Sequence, residues 1–154
     1  GQTCRRMREL GIDKFIYEGD TQPSEQEGLK IAGQMRHGHG EIRYESGSSY
    51  VGQWEHDKRS GTGKYTFACG DVYEGGFKEN QYHGRGKYSS SETDEYDGEW
   101  REDKMHGHGR YLFRVSGDVH EGGYVDGVRE GRGTYTKADG TVSEGVWKAG
   151  ELVQ

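Results

Sequence analysis

The chain alternates. From Tyr50 to Trp54 every second position carries an aromatic ring or a glycine (Tyr50, Gly52, Trp54), with Val51 and Gln53 between. After a charged stretch, EHDKRS at 55–60, the alternation returns as Gly61, Gly63, Tyr65 and Phe67. A period of two puts every second side chain on one face of a strand. Two such runs around a polar, turn-like stretch predict a β-hairpin. The segment ACGDV at 68–72 then turns the chain into a new run that starts at Tyr73.

The unit recurs along the chain. YVGQWEHDKRSGTGKYTFACGDV spans 50–72, YEGGFKENQYHGRGKYSSSETDE spans 73–95, YDGEWREDKMHGHGRYLFRVSGDV spans 96–119 and HEGGYVDGVREGRGTYTKADGTV spans 120–142. A half unit, SEGVWKAGELVQ, spans 143–154, and a worn copy with Ile31 in the aromatic slot is read at 27–49. The shared pattern is Tyr-x-Gly-x-aromatic, six residues, then Gly-x-Gly-x-Tyr and a turn. Its departures are His120 and Ser143 at the leading Tyr, Ser60 and Glu130 at the His of the later half, and one residue inserted in 96–119.

This pattern resembles the MORN repeat (membrane occupation and recognition nexus), and the resemblance covers 27–154. It implies an all-β fold of stacked antiparallel β-hairpins, forming one elongated, twisted sheet with a shallow trough. It also implies a scaffold role, because MORN arrays occur in cytoskeletal and ciliary assemblies and at membrane contact sites.

The physics of the unit leads to the same sheet. A lone hairpin is marginal in water, so the copies must stack edge to edge. About five hairpins, with ten or eleven strands, are expected. Stacking lines up Trp54, Phe77, Trp100, Tyr124 and Trp147 in one row and Tyr50, Tyr73 and Tyr96 in a second. A third row holds Ile42, Tyr65, Tyr88, Tyr111 and Tyr135. Glycines on the same face leave room for rings to lie flat across them. The other face carries Glu74, Asp97, Glu99, Glu121 and Glu144 on first strands, and Lys64, Arg85, Lys87, Arg110 and Arg132 on second strands. Cross-strand ion pairs on a solvated face are the expected result.

Composition sharpens the picture. Leu, Ile, Val and Phe number 21 of 154 residues and mean hydropathy is −1.15, which alone would suggest disorder. Eleven Tyr, three Trp and a single Pro argue instead for a thin fold held by aromatic rings. The net charge of −6 disfavours a nucleic-acid partner. No apolar run of membrane-spanning length and no secretory leader is visible, and a start without Met leaves room for an upstream segment. Cys4 and Cys69 are too few and too far apart for a disulfide framework, so a reducing cytoplasmic setting, beside cytoskeleton or membrane, is expected. Residues 1–26 are expected to be a non-repeat cap or the tail of an upstream region, with a short helix over TCRRMRELG at 3–11.

Enzymatic and metal chemistry find no foothold. His37, His83 and His106 fall one per repeat, about 10 Å apart, whereas zinc needs all its ligands within about 2.1 Å. His106 and His108 share a face but lack further ligands. The paired glycines sit within strands rather than at a helix start, so they cradle no phosphate. Carboxylates and histidines are dispersed by the repeat, and no base is placed for Cys69. No cofactor, metal or catalytic residue is expected. The expected function is a protein-interaction scaffold holding a peptide or helix on Tyr50, Trp54, Tyr73, Phe77, Tyr96, Trp100, Tyr124 and Trp147. Acidic phospholipid is the alternative ligand. Homodimerisation is expected through the last half repeat, where the strand at 143–148 would leave a bare edge with Val146, Trp147 and Leu152, the alternative being that residues 149–154 fold back and cover it.

Overall fold

The computed structural model describes residues 14–23, 34–92 and 94–153. Twelve strands form one antiparallel sheet in which each strand pairs with the next in sequence. They are β1 (Phe15–Pro23), β2 (Gln34–Tyr44), β3 (Ser49–Glu55), β4 (Lys58–Thr66), β5 (Val72–Lys78) and β6 (Gln81–Ser89). There follow β7 (Asp94–Arg101), β8 (Lys104–Phe113), β9 (Asp118–Val125), β10 (Val128–Thr136), β11 (Val142–Lys148) and β12 (Glu151–Leu152). At about 4.8 Å per strand the sheet is about 53 Å long. The helix expected at 3–11 lies outside the described residues.

The hairpins are tighter than their sequence suggested. EHDKRS is not a six-residue loop, because only His56 and Asp57 turn. Both have positive φ (49° and 65°), as do Glu79–Asn80, Glu102–Asp103, Asp126–Gly127 and Ala149–Gly150. Two left-handed residues in succession make the turn whose twist matches that of paired strands. The second turn residue also reaches the preceding hairpin. The Asp57, Asn80 and Asp103 side chains accept the backbone N–H groups of Arg36, Arg59 and Tyr82 at 2.8 Å. Gly127 has no side chain, and donates its own N–H to the Met105 carbonyl at 2.8 Å.

The first repeat begins earlier than the pattern indicated. β1 is part of the sheet, and Tyr17 takes the place of Tyr50. Gly19 opposes Gly40 just as Gly52 opposes Gly63, and the Tyr17 hydroxyl donates to the Asp20 carbonyl as that of Tyr50 does to Gln53. The copy is therefore not a worn unit starting at 27 with Ile31 in the aromatic slot. Tyr17 and Gly40 are 23 positions apart, against 13 for Tyr50 and Gly63, so this hairpin carries ten extra residues at its tip. That insertion hid the frame.

At the far end the folded-back tail is the alternative that forms. The chain doubles back at Ala149–Gly150, and β12 pairs Leu152 with Trp147 and Glu151 with Lys148. The Val153 N–H donates to the Val146 carbonyl. The tail thus covers the stretch of β11 that was expected to be bare for self-association. The reason is the same left-handed turn that closes the other hairpins, here formed by Ala149 and Gly150.

On the outer face the charges do oppose one another in register: Lys64 and Glu74, Glu74 and Lys87, Lys87 and Asp97, Asp97 and Arg110, Arg110 and Glu121. The closed ion pairs nonetheless form elsewhere. Lys87 meets Glu95 at 2.8 Å and Arg114 meets Glu95 at 3.3 Å. Diagonal neighbours are still within reach of long side chains.

Candidate interaction face

The inner face is built around a continuous ladder of rings. The two expected rows interleave into a single zigzag. Tyr50 meets Trp54 at 5.1 Å and Phe77 at 5.0 Å, and Tyr73 meets Phe77 at 5.2 Å and Trp100 at 5.4 Å. Tyr96 meets Trp100 at 5.1 Å and Tyr124 at 5.2 Å, and His120 meets Tyr124 at 5.3 Å and Trp147 at 4.8 Å. All these contacts are edge-to-face, the arrangement that the charge distribution of aromatic rings prefers. Each leading tyrosine lies over a glycine pair. A Cβ on Gly40, Gly63, Gly86 or Gly109 would fall inside the ring of Tyr17, Tyr50, Tyr73 or Tyr96 respectively. Trp54 and Trp100 donate Nε1–H to the carbonyls of Gly40 and Gly86 in the preceding hairpin, at 3.1 and 2.8 Å.

This packing corrects the role expected of the eight ring residues. Tyr50, Trp54, Tyr73, Phe77, Tyr96, Trp100, Tyr124 and Trp147 are all at most 8% exposed. They form the core and offer a ligand almost no surface. A single-layer sheet can bury them because glycine lets the tyrosines lie flat and neighbouring rings then cap their edges.

A row not anticipated from sequence covers the ladder on one side. Opposite Trp54, Phe77, Trp100, Tyr124 and Trp147 stand Arg59, Tyr82, Met105, Arg129 and Leu152, and Arg36 begins the row. Once the turns are read as two left-handed residues, this register follows from counting. Reading EHDKRS as a loop concealed it. Tyr82 stacks on Tyr73 with centroids 3.7 Å apart. The Arg36 guanidinium lies 4.3 Å from the centroid of Trp54 and is paired with Asp57 at 3.0 Å. Arg59 lies 4.9 Å from Tyr65 and within 6 Å of Tyr50 and Phe77. Arg129 donates to the Gly150 carbonyl at 2.7 Å.

On the ladder's other side run the half-buried rings of Tyr88, Tyr111 and Tyr135, with Ile42 and Tyr65 buried at the start. Each hydroxyl is held by an aspartate from the turn 17 residues earlier: Tyr88 by Asp71, Tyr111 by Asp94 at 2.8 Å and Tyr135 by Asp118 at 2.7 Å. Burial, with help from Asp94, raises the Tyr111 pKa above the usual phenol range, so the hydroxyl stays a donor. Phe67 and Phe113 extend this side outward, 4.7 and 4.6 Å from Tyr65 and Tyr111.

Two groups interrupt the regularity. His120 stands where the other copies have tyrosine and is fully buried, with Nδ1 2.8 Å from the Tyr124 hydroxyl. Burial, reinforced by the Arg129 charge and His108, lowers its pKa to about 4. The unfolded imidazole titrates near 6.5, so protonation disfavours the folded state. Stability is therefore full above pH 6.5, falls as pH drops towards 4, and levels off below that. We expect a loss of about 2 kcal/mol between pH 7.5 and 5, measured as a shift in urea midpoint. A chain with His120→Tyr and Tyr124→Phe, the Tyr73–Phe77 pair of an earlier repeat, should lose most of that slope. An unchanged slope would show that other groups set it.

Cys69 is the second. It is disulfide-bonded, contrary to the reduced thiol expected. It is thus no thiolate nucleophile. Among the described residues no three His, Cys, Asp or Glu side chains are placed to hold a metal ion. His37 faces His56 at 6.1 Å and nothing completes a ligand set. Zinc or EDTA at neutral pH should leave the melting temperature within about a degree, whereas a metal-dependent fold would shift by many times that.

The recurring hairpin with a tyrosine laid over a glycine pair is decisive when set beside the family comparison. The MORN repeat matches five times, at residues 35–49, 50–72, 73–93, 96–117 and 120–142. The chain belongs to the MORN repeat family. A comparison with curated proteins gave no match. MORN repeats are non-catalytic modules generally associated with protein or membrane interaction. The match starts at residue 35 and so includes the second strand of the first MORN hairpin, whose first strand the structure supplies as β1. No helix among the described residues is long and apolar enough to cross a membrane.

Proposed function

We propose that this MORN array is a non-enzymatic scaffold module that holds a segment of a protein partner against its inner face, within a cytoskeletal, ciliary or membrane-associated assembly. The observation that carries this reading is the single layer. Twelve strands make one sheet, and its aromatic side keeps Met105, Tyr88, Tyr111, Phe113 and Tyr135 only half-buried. Apolar surface of this kind suits a partner that completes the burial.

The rival ligand, an anionic membrane, asks for a basic face. Here Lys64, Arg85, Lys87 and Arg110 each stand in register with an acid, although Arg132 faces Val146, and the chain carries net charge −6. Proximity labelling with the full-length protein in its own cell tests the reading, run in parallel with Met105→Glu. A set of proteins labelled by the parent and lost with the variant supports the inner face. Equal labelling by both, or sedimentation with anionic vesicles that falls with salt and ignores the substitution, overturns it.

A further inference from the structure

We infer that the inner face takes an amphipathic α-helix bearing one carboxylate at each end of a five-turn apolar stripe. The inference rests on the proposed protein-binding role of this face and adds the chemistry of the partner.

The first observation concerns charge. Along the inner row Arg59 and Arg129 flank Tyr82 and Met105, so two cations bracket an apolar centre. Arg36, in the same row, is closed by Asp57 at 3.0 Å. Among the described residues, no carboxylate lies within ion-pair distance of Arg59 or Arg129. Each has one donor on a turn carbonyl, Arg59 on Asn80 at 3.4 Å and Arg129 on Gly150 at 2.7 Å. A guanidinium has five donors in a planar fork, so a face suited to a carboxylate remains. Half-buried over aromatic rings, both groups have already lost part of their hydration and side-chain freedom, which lowers the cost of binding an anion there.

The second observation concerns the backbone. Every strand from β2 to β11 is paired on both sides. An extended peptide laid on the face would find no free N–H or C=O groups to satisfy its own. A helix brings its backbone bonds with it and needs only side-chain contacts.

The third is length. Arg59 is on β4 and Arg129 on β10, six strand spacings or about 29 Å apart. Five turns of α-helix, about 18 residues, cover about 27 Å and return to the same face. The helix that fits has acidic residues 18 apart and apolar residues between them for the half-buried Met105.

Selection from a displayed library of 24-residue helices, randomised along one stripe, tests this on the full chain. Winners are then measured by fluorescence anisotropy. The expected winners carry Asp or Glu about 18 residues apart. They lose at least tenfold in affinity when both acids become Asn or Gln, or when the chain carries Arg59→Gln and Arg129→Gln. The change on the peptide side keeps the test valid if the chain variant folds poorly. Winners without the acidic pair that bind both chains alike, yet are lost with Met105→Glu, overturn the inference and leave the inner-face reading standing. Failure to select any peptide sensitive to Met105→Glu overturns both.

Discussion

Replacing Gly109 by alanine is expected to destabilise the protein by about 3 kcal/mol or more, although only one methyl is added. Overpacking a core ordinarily costs about 1–3 kcal/mol because neighbours shift by a few tenths of an ångström. Here no small shift suffices. The new Cβ would occupy the place of the Tyr96 ring, which is 2% exposed. To move, the ring must leave Trp100 and Tyr124, at 5.1 and 5.2 Å, and break its hydrogen bond to the Glu99 carbonyl. The cost thus approaches that of deleting a core aromatic. A double-mutant cycle checks the cause. In a Tyr96→Ala background the ring that the added methyl strikes is gone, and Gly109→Ala should then cost under about 1 kcal/mol. Additive costs would mean that the glycine serves the backbone and not the ring.

Trp100→Ala is expected to cost about 3–5 kcal/mol. Its ring is 8% exposed and stands edge-on to Tyr73, Tyr82 and Tyr96 at 5.4, 5.4 and 5.1 Å. Its Nε1–H donates to the Gly86 carbonyl at 2.8 Å, so truncation also leaves that acceptor in a hole. Because the ladder runs unbroken through Trp100, the loss falls on the hairpins on both sides. Arg110→Ala, on the outer face of the adjacent β8, should cost under about 1 kcal/mol. Coincident urea midpoints for the two variants would show the faces to be wrongly assigned.

Much of this was legible in the chain. The spacing of Tyr, Gly and Trp gave the hairpins, their stacking and the face of each ring, because a strand has only two faces. The glycine beneath each tyrosine was readable from size alone. Three features were not. The ten-residue insertion after Tyr17 broke the period that a repeat search relies on. Left-handed turn residues such as His56, Glu79 and Ala149 are not the glycine or asparagine that usually announce such a turn, so the register opposite Trp54, and with it Arg59 and Arg129, stayed hidden. Burial was also underestimated. A row of aromatics on one face of a sheet looks like an open binding surface until edge-to-face packing shows that the rings are spent on one another.

The enlarged first hairpin has a practical consequence. Ten added residues at that tip leave β2 in the same register on β3, with Gly40 opposite Gly52 and Ile42 opposite Tyr50, as between β4 and β5. All the odd-to-even turns lie along one long side of the sheet, about 10 Å apart. That side is in effect a strip of evenly spaced ports, one of which already carries a passenger. Foreign loops could be grafted at the others to display epitopes or enzymes at fixed intervals. Asp126–Gly127 is a port to use early, since Gly127, unlike Asp57, Asn80 and Asp103, holds the previous hairpin without a side chain.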